Sequence, residues 1–177
     1  MPRRVVLIRA VNVGGAKLPM ADLRAMAAEF GATNISTYIA SGNLLCEPSG
    51  AATTFDHALE KAITERFGYS REVISRSRDE LATALEAHPF PIQDPKFSYV
   101  YCLTGTPSAE KVAAFADRQF GSDEFTVIGN DLHIRYDEGA GVSKLTAPVI
   151  AKGLGVQGTG RNLKTVQKLI DLADQDA

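Results

Sequence analysis

The sequence predicts an α+β protein made of two ferredoxin-like βαββαβ halves in tandem, with mostly antiparallel sheets and helices packed on them. Short β-rich apolar runs and amphipathic helical stretches follow one another in that order, and the order then repeats. A Gly-Asn pair marks the hairpin of each half, at Gly42-Asn43 and Gly129-Asn130. We expect the first half over residues 1–88, with an added helix, and the second over 96–177, with a C-terminal helix.

The segments of the first half are recognised by their period and by the residues that bound them. Pro19 and Gly31 enclose the first helical stretch, and Gly68 ends the second. A further helix follows the fourth strand. The predicted strands are 5–10, 35–40, 44–47 and 72–77, and the predicted helices are 20–30, 54–67 and 79–87.

The segments of the second half follow a proline-rich join at 89–95. Pro107 and Ser108 begin its first helix, and an apolar stripe of helical spacing marks its last. The predicted strands are 97–104, 124–128, 132–136 and a short one near 156–160, and the predicted helices are 108–120, 143–152 and 163–173.

Composition restricts the classes of partner and compartment. The net charge of −2 over 177 residues argues against a broad nucleic-acid surface, which needs an excess of Lys and Arg. Cys46 and Cys102 lie in apolar runs and are predicted to be free buried thiols. The apolar run near the N-terminus is shorter than a signal peptide requires, and no stretch reaches the length of a membrane span. We therefore expect a cytoplasmic protein without a membrane partner.

Several motifs of catalytic or cofactor sites fail their context tests. The string at 153–158 satisfies G-x-G-x-x-G, but a helix precedes it and too few residues follow to complete a dinucleotide-binding unit. Asn12 to Lys17 lacks the spacing of a nucleoside-triphosphate loop. His57, His88 and His133 are scattered over different elements. No metal and no cofactor are predicted.

Two clusters remain as candidate anion or polar-ligand sites. In a sheet of order 4-1-3-2, the end of the first strand and the hairpin loop lie at the same edge, where an arginine, exposed N–H groups and short polar side chains can meet. The residues of this first cluster are Arg9, Asn12, Gly14, Gly15, Ser41, Gly42 and Asn43.

The second cluster comes from the same geometry in the second half. Ser143-Lys144, at a predicted helix start, is expected near Arg161-Asn162, and two cations beside a helix N-terminus favour an anion. The alternative is that Ser143 caps its helix while Lys144 and Arg161 are solvated charges. Tyr99 and Tyr101, on one face of a strand, are interpreted as packing or interface residues.

Five segments together make the chain similar to the bacterial "domain of unknown function 1697" family. They are LIRAVNVGG at 7–15, PMADLR at 19–24, YIASGN at 38–43, SKLT at 143–146 and GRNLKTV at 160–166. The family usually carries a glycine where this chain has Ala10 and a tryptophan where it has Leu163. The resemblance implies an α+β, ferredoxin-like fold and supplies no reaction.

Three functions stay open at this point. The first is a non-catalytic module that binds a small anionic or phosphate-bearing ligand. The second is an enzyme acting on a phosphoryl or acyl centre through Arg, Lys, Ser, Asn and backbone N–H groups. The third is a structural or protein-interaction module. The absence of a His or Cys near either cluster in the predicted arrangement favours binding, and the sequence does not determine the oligomeric state.

Overall fold

The structure, a computed structural model, describes residues 3–175 and contains two compact units. The first unit comprises the chain up to Leu81 together with the segment from Lys168, and the second comprises Ala82–Gln167. Each unit contains a four-stranded antiparallel sheet with helices. The predicted fold class, two tandem βαββαβ halves of the α+β type, is confirmed.

The first unit follows the predicted order of strands and helices. The sheet order is β2-β3-β1-β4, the same as the predicted 4-1-3-2 counted from the other side. Every neighbouring pair is antiparallel. The elements are β1 (Arg4–Ile8), α1 (Met20–Glu29), β2 (Thr33–Thr37), β3 (Asn43–Glu47), α2 (Ala52–Phe67) and β4 (Val73–Ser77), and α3 (Arg78–Ala87) follows.

The second unit repeats the plan, with the equivalent sheet order β6-β7-β5-β8. All of its strand pairs are antiparallel as well. The elements are β5 (Ser98–Leu103), α4 (Ala109–Ala116), β6 (Glu124–Ile128), β7 (Asp131–Arg135), α5 (Ala147–Leu154) and β8 (Gly158–Asn162). Helix α6 (Leu163–Ala173) follows β8, and its residues from Lys168 onward are counted with the first unit.

Helix α5 differs most from its predicted position. It begins at Ala147, with Pro148 in its first turn, and not at Ser143. The reason is that the Ser143 hydroxyl is engaged by the loop before the helix, where it accepts from the N–H of Leu145 and donates to Asp123. Ser143 therefore does not cap α5, whose N-cap position is Thr146. Helix α4 is also shorter than predicted and ends at Ala116.

The two Gly-Asn pairs occupy different places in their hairpins. Gly129-Asn130 forms the two-residue turn between β6 and β7, as predicted, with a φ of 63° at Gly129. The first hairpin has a longer loop, residues 38–42, so Gly42 ends that loop and Asn43 begins β3. The prediction that the first hairpin turns at Gly42-Asn43 was wrong in this detail.

The core of the first unit lies between one face of its sheet and the two helices. Val6 and Ile8 of β1 and Leu44 of β3 form one cluster with Leu23 of α1 and Leu59 of α2. Cys46 belongs to the same cluster, and Cys46 and Cys102 are both buried thiols outside any disulfide, as predicted. Burial raises the pKa of the Cys46 thiol to about 12, so it is protonated at neutral pH and unsuited to nucleophilic chemistry.

Glycines in and just after the G-x-G-x-x-G string end a helix or leave room for neighbouring rings. Gly155 ends α5 in the left-handed conformation, with a φ of 73°. A Cβ at Gly158 would lie 2.8 Å from the Tyr101 ring, and one at Gly160 would lie 2.6 Å from it. The tyrosine rings of β5 therefore lie against a glycine-lined strand, which confirms their interpretation as packing residues.

Two histidines that are far apart in sequence meet in the second unit. The Nδ1 atoms of His88 and His133 lie 3.2 Å apart, and His133 is almost completely buried. Burial, and secondly the nearby His88, lower the pKa of His133 to about 4. The pair is therefore neutral at pH 7, and the Nδ1–H of one ring donates a hydrogen bond to the Nδ1 of the other.

This pair predicts a specific loss of stability in acid. The unfolded chain protonates His133 near pH 6.5 and the folded chain only near pH 4, so stability falls as the pH drops between those values, by on the order of 3 kcal/mol. We expect His133→Gln to flatten that part of the curve. Chemical denaturation between pH 7 and 4 measures it, with His57→Gln, at an exposed position, as control. Equal pH dependence in His133→Gln and wild type would contradict the assignment.

Candidate functional site

Three loops of the first unit meet where β1 ends. Strand β1 is antiparallel to both β3 and β4, so Leu7 faces Asn43 and Ile8 faces Val73. The loop after β1 therefore lies beside the loop before β3 and the loop before β4. We call residues 9–18, 38–42 and 68–72 the loop edge. The predicted proximity of the first strand end and the hairpin loop is confirmed.

Asn12 joins the first two loops. Its Nδ2 donates to the carbonyl of Leu18 at 2.9 Å and to that of Ala40 at 2.5 Å, while its Oδ1 accepts from the N–H of Leu18 at 2.9 Å. The φ of Asn12 is 57°, a conformation that Asn tolerates better than most residues. The Asn12 side chain thus positions the loops by bonds within the protein.

Ser41, Gly42 and Asn43 close the hairpin loop. Asn43 is fully buried, and its Nδ2 donates to the carbonyl of Tyr38 and to the Ser41 hydroxyl, each at 2.9 Å. A Cβ at Gly42 would lie 2.8 Å from the Val11 side chain and 3.0 Å from the carbonyl of Ile8. Glycine is required there because the hairpin loop contacts β1 so closely.

Residues 13–15 form the exposed tip of the loop edge. The N–H groups of Val13, Gly14 and Gly15 have no hydrogen-bond partner within residues 3–175. The φ angle is positive at Asn12, negative at Val13 and positive at Gly14, an alternation typical of the backbone concavities that bind anions. No heavy atom lies within 4 Å of a Cβ placed on Gly14 or Gly15. The tip therefore offers open N–H donors to solvent.

The charges of the loop edge differ from the predicted ones. The Arg9 guanidinium donates to the carboxylate of Glu72, so its charge is neutralised within the protein. Arg71 is the cation that sequence reasoning missed. Its Nε donates to the carbonyl of Ala10 at 3.2 Å and its Nη1 to that of Ser70 at 2.8 Å. Its Nη2 has no partner in the described part of the chain.

Two residues of the loop edge other than glycine or asparagine have a strained backbone. Ala10 has a φ of 51° and Ile39 a φ of 49°. A positive φ is a genuine outlier for a β-branched residue such as Ile39. The Ile39 side chain is nevertheless 51% exposed, and Val13 is 61% exposed. Strain without compensating burial is concentrated at binding and active sites in proteins.

The second predicted cluster does not form a cationic site. Ser143 and Lys144 line a cavity of about 340 Å³ in which Asp123, Asp137 and Glu138 outnumber the one lysine. The Ser143 hydroxyl donates to Asp123 at 2.6 Å. The excess of carboxylates over lysine in this cavity favours a positive rather than a negative ligand.

Arg161 and Asn162 form hydrogen bonds with neighbouring residues of the second unit. The Arg161 guanidinium is buried and donates to the Thr159 hydroxyl at 2.8 Å and to the carbonyl of Gly160 at 3.0 Å, and burial lowers its pKa to about 10. The Asn162 Oδ1 accepts from the N–H of Thr165 at 2.8 Å at the start of α6. Neither residue lines the cavity that contains Lys144.

The described residues contain neither a metal-ligand cluster nor a membrane-spanning helix. No cluster of three or more His, Cys, Asp or Glu side chains within residues 3–175 is arranged to hold a metal ion. No helix in that part of the chain is long and apolar enough to cross a membrane.

The fold and the loop edge define a class of tandem ferredoxin-like α+β proteins with a polar loop cluster at one sheet edge. The family model described as "Protein of unknown function (DUF1697)" matches residues 1–133, and the chain belongs to that family. The match includes all of the loop edge and ends before Ser143.

A solved structure shows the same fold over the full length. The conserved bacterial protein SP0830 from Streptococcus pneumoniae is 19% identical, with a TM-score of 0.74, and the match covers 98% of this chain and 99% of that chain. At this identity the likeness concerns the fold alone. No curated protein matches the chain in sequence.

The bonds of Asn12 predict a stability effect. We expect Asn12→Ala to lower the free energy of unfolding by about 1–2 kcal/mol, because the N–H and carbonyl of Leu18 lose their partners. The neighbouring Val13→Ala, at an exposed position, should change it by less than about 0.5 kcal/mol. Urea denaturation of both variants measures the difference, and equal effects would show that Asn12 does not join the loops.

The strained backbone at Ile39 predicts a substitution that stabilises the protein, in contrast to Asn12→Ala. Ile39→Gly should raise the free energy of unfolding by about 0.5–1 kcal/mol, since glycine adopts a positive φ without steric conflict and little apolar burial is lost. Ile35→Gly is the matched control, because Ile35 lies within β2 and packs on the core. That control should be destabilised. A destabilised Ile39→Gly variant would exclude strain at this position.

Proposed function

We propose that the protein binds a small anionic or phosphate-bearing ligand at the loop edge. The observation that carries the proposal is the row of exposed N–H groups at Val13, Gly14 and Gly15 without partners within residues 3–175. Backbone N–H groups that converge on one concavity are strong donors to phosphate and carboxylate oxygens. Arg71, fixed by the carbonyl of Ala10, supplies a positive charge to the same loops.

The composition of the loop edge favours binding over catalysis. Residues 9–18, 38–42 and 68–72 contain no His and no Cys. Glu72 is paired with Arg9, and the Tyr69 hydroxyl donates to the carbonyl of Lys17 at 2.6 Å, with its pKa raised by burial. No group of the loop edge is therefore placed to transfer a proton near neutral pH.

The exposed side chains of Val13 and Ile39 favour a second candidate, a protein-interaction module. They flank Asn12 and Ala40, which are hydrogen-bonded to each other, so the two apolar side chains lie on the same edge of the unit. Exposed apolar groups beside strained backbone are also typical of contact surfaces. In that function the N–H groups would meet carbonyls of a partner chain.

Amide NMR with inorganic phosphate tests the first proposal. We expect the amide signals of Val13, Gly14 and Gly15 to shift with a saturable dependence on phosphate at constant ionic strength. Arg71→Ala should weaken binding by at least about tenfold, the loss expected for one charge-assisted hydrogen bond. Lys144→Ala, in the acidic cavity of the second unit, is the matched control and should bind as the wild type does.

Two results would contradict anion binding at the loop edge. One is the absence of shifts at Val13–Gly15 with phosphate and with a panel of nucleotides, sugar phosphates and carboxylates. The other is binding that weakens equally in Arg71→Ala and Lys144→Ala, which would indicate general charge attraction. Failure across the whole panel would favour the protein-interaction function.

A further inference from the structure

A groove adjoins the loop edge on the side of helix α2. It has a volume of about 330 Å³ and lies between α2 and the chain that leads into β4. Two of its lining residues, Arg71 and Glu72, also contact the loop after β1. The lining residues are His57, Glu60, Lys61, Thr64, Ser70, Arg71 and Glu72.

The carboxylates of the groove are already engaged by the protein. Glu72 pairs with Arg9, and the Oε1 of Glu60 accepts from the N–H of Val73 at 2.9 Å. Lys61 has only a long, exposed ion pair with Glu65, at 3.9 Å. Such an exposed pair holds its lysine weakly. The cations of the groove are therefore Lys61 and Arg71, while Glu60 keeps its negative charge because its partner is a neutral N–H group.

The remaining donors of the groove lie close to these cations. His57 and Lys61 are four residues apart on α2, so their side chains share one face of the helix. The Thr64 and Ser70 hydroxyl oxygens lie 3.4 Å apart. The Thr64 hydroxyl donates to the carbonyl of Glu60 at 3.0 Å, so the lysine and the arginine are the groups that match the oxygens of a phosphate.

Arg71 connects the groove to the loop edge. Its Nε is bound to the carbonyl of Ala10 in the first loop, while its side chain lines the groove. The ring of Tyr69 lies under the guanidinium, 5.2 Å from its carbon to the ring centroid, and so fixes its direction. Arg71 therefore belongs both to the loop edge, through its bond to Ala10, and to the lining of the groove that contains Lys61.

We propose that the groove is a second anion subsite, so that the ligand carries two phosphate groups, one at the loop edge and one beside Lys61. The proposal rests on the anion site proposed above and extends it. Two linked groups that occupy two subsites bind roughly 10²–10⁴ times more tightly than one, provided that the linker spans them. A molecule with two phosphates is thus distinguished from inorganic phosphate and from monophosphates.

The experiment compares inorganic phosphate with ethane-, butane- and hexane-diyl bisphosphates by calorimetry and amide NMR on the full chain. We expect at least one bisphosphate to bind tenfold or more tightly than phosphate and to shift signals of both Val13–Gly15 and Lys61. Lys61→Ala should remove that advantage and leave the phosphate shifts at Gly14 and Gly15 within twofold in affinity. Lys152→Ala, an exposed lysine of α5, is the matched control.

The outcomes separate the two proposals. Phosphate binding at Gly14 and Gly15 with no gain for any bisphosphate would overturn the second subsite and leave the first. A gain that persists in Lys61→Ala would also overturn it, because the added charge alone would then explain the affinity. If neither phosphate nor the bisphosphates shift Val13–Gly15, both proposals fail. Thermal unfolding of each variant shows that a lost signal is not lost folding.

Discussion

Strand β1 lies between β3 and β4, and this antiparallel pairing positions everything else at the loop edge. Its apolar residues form the centre of the core of the first unit, so the strand cannot shift in register without exposing them. Because the register is fixed, the chain that follows Ile8 meets the chain that precedes Asn43 and Val73. The bonds of Asn12 and the close approach at Gly42 then set the distance between these loops.

The proposed anion site is compatible with the slightly acidic net charge of the protein. Net charge governs long-range attraction, whereas binding depends on the donors within a few ångströms of the ligand. At the loop edge and the groove, Glu72 and Glu60 are satisfied by protein partners, and N–H groups and Arg71 are left facing solvent. The cavity around Lys144 is more negative, since three carboxylates and one amine line it, whereas two carboxylates and two cations line the groove. The two predicted clusters contain similar residue types, and they differ in the charged residues that the fold places beside them.

The sequence predicted the fold and the proximity of the loops that carry Asn12 and Ser41, and the reasons are physical. Helix and strand period depends on residues a few positions apart, so the element order and the sheet order could be read directly. Ser143 was predicted at a helix start, but α5 begins at Ala147 and the Ser143 hydroxyl bonds to Asp123, twenty positions away. His88 and His133 meet only through the fold. The position of Arg71 at the loop edge was not predicted, because the backbone carbonyl of Ala10 holds it and a backbone partner leaves no pattern in the sequence.

The sequence by itself determined the order of strands and helices, the buried thiols, and the adjacency of the Asn12 and Ser41 loops, because apolar period and strand topology are enough to place them. Only the tertiary structure decided which charges remain available. Arg9 and Arg71 both lie next to the same loop, and one is neutralised by Glu72 while the other is held by a carbonyl and keeps its charge. That difference depends on partners more than sixty residues away, which no local pattern contains.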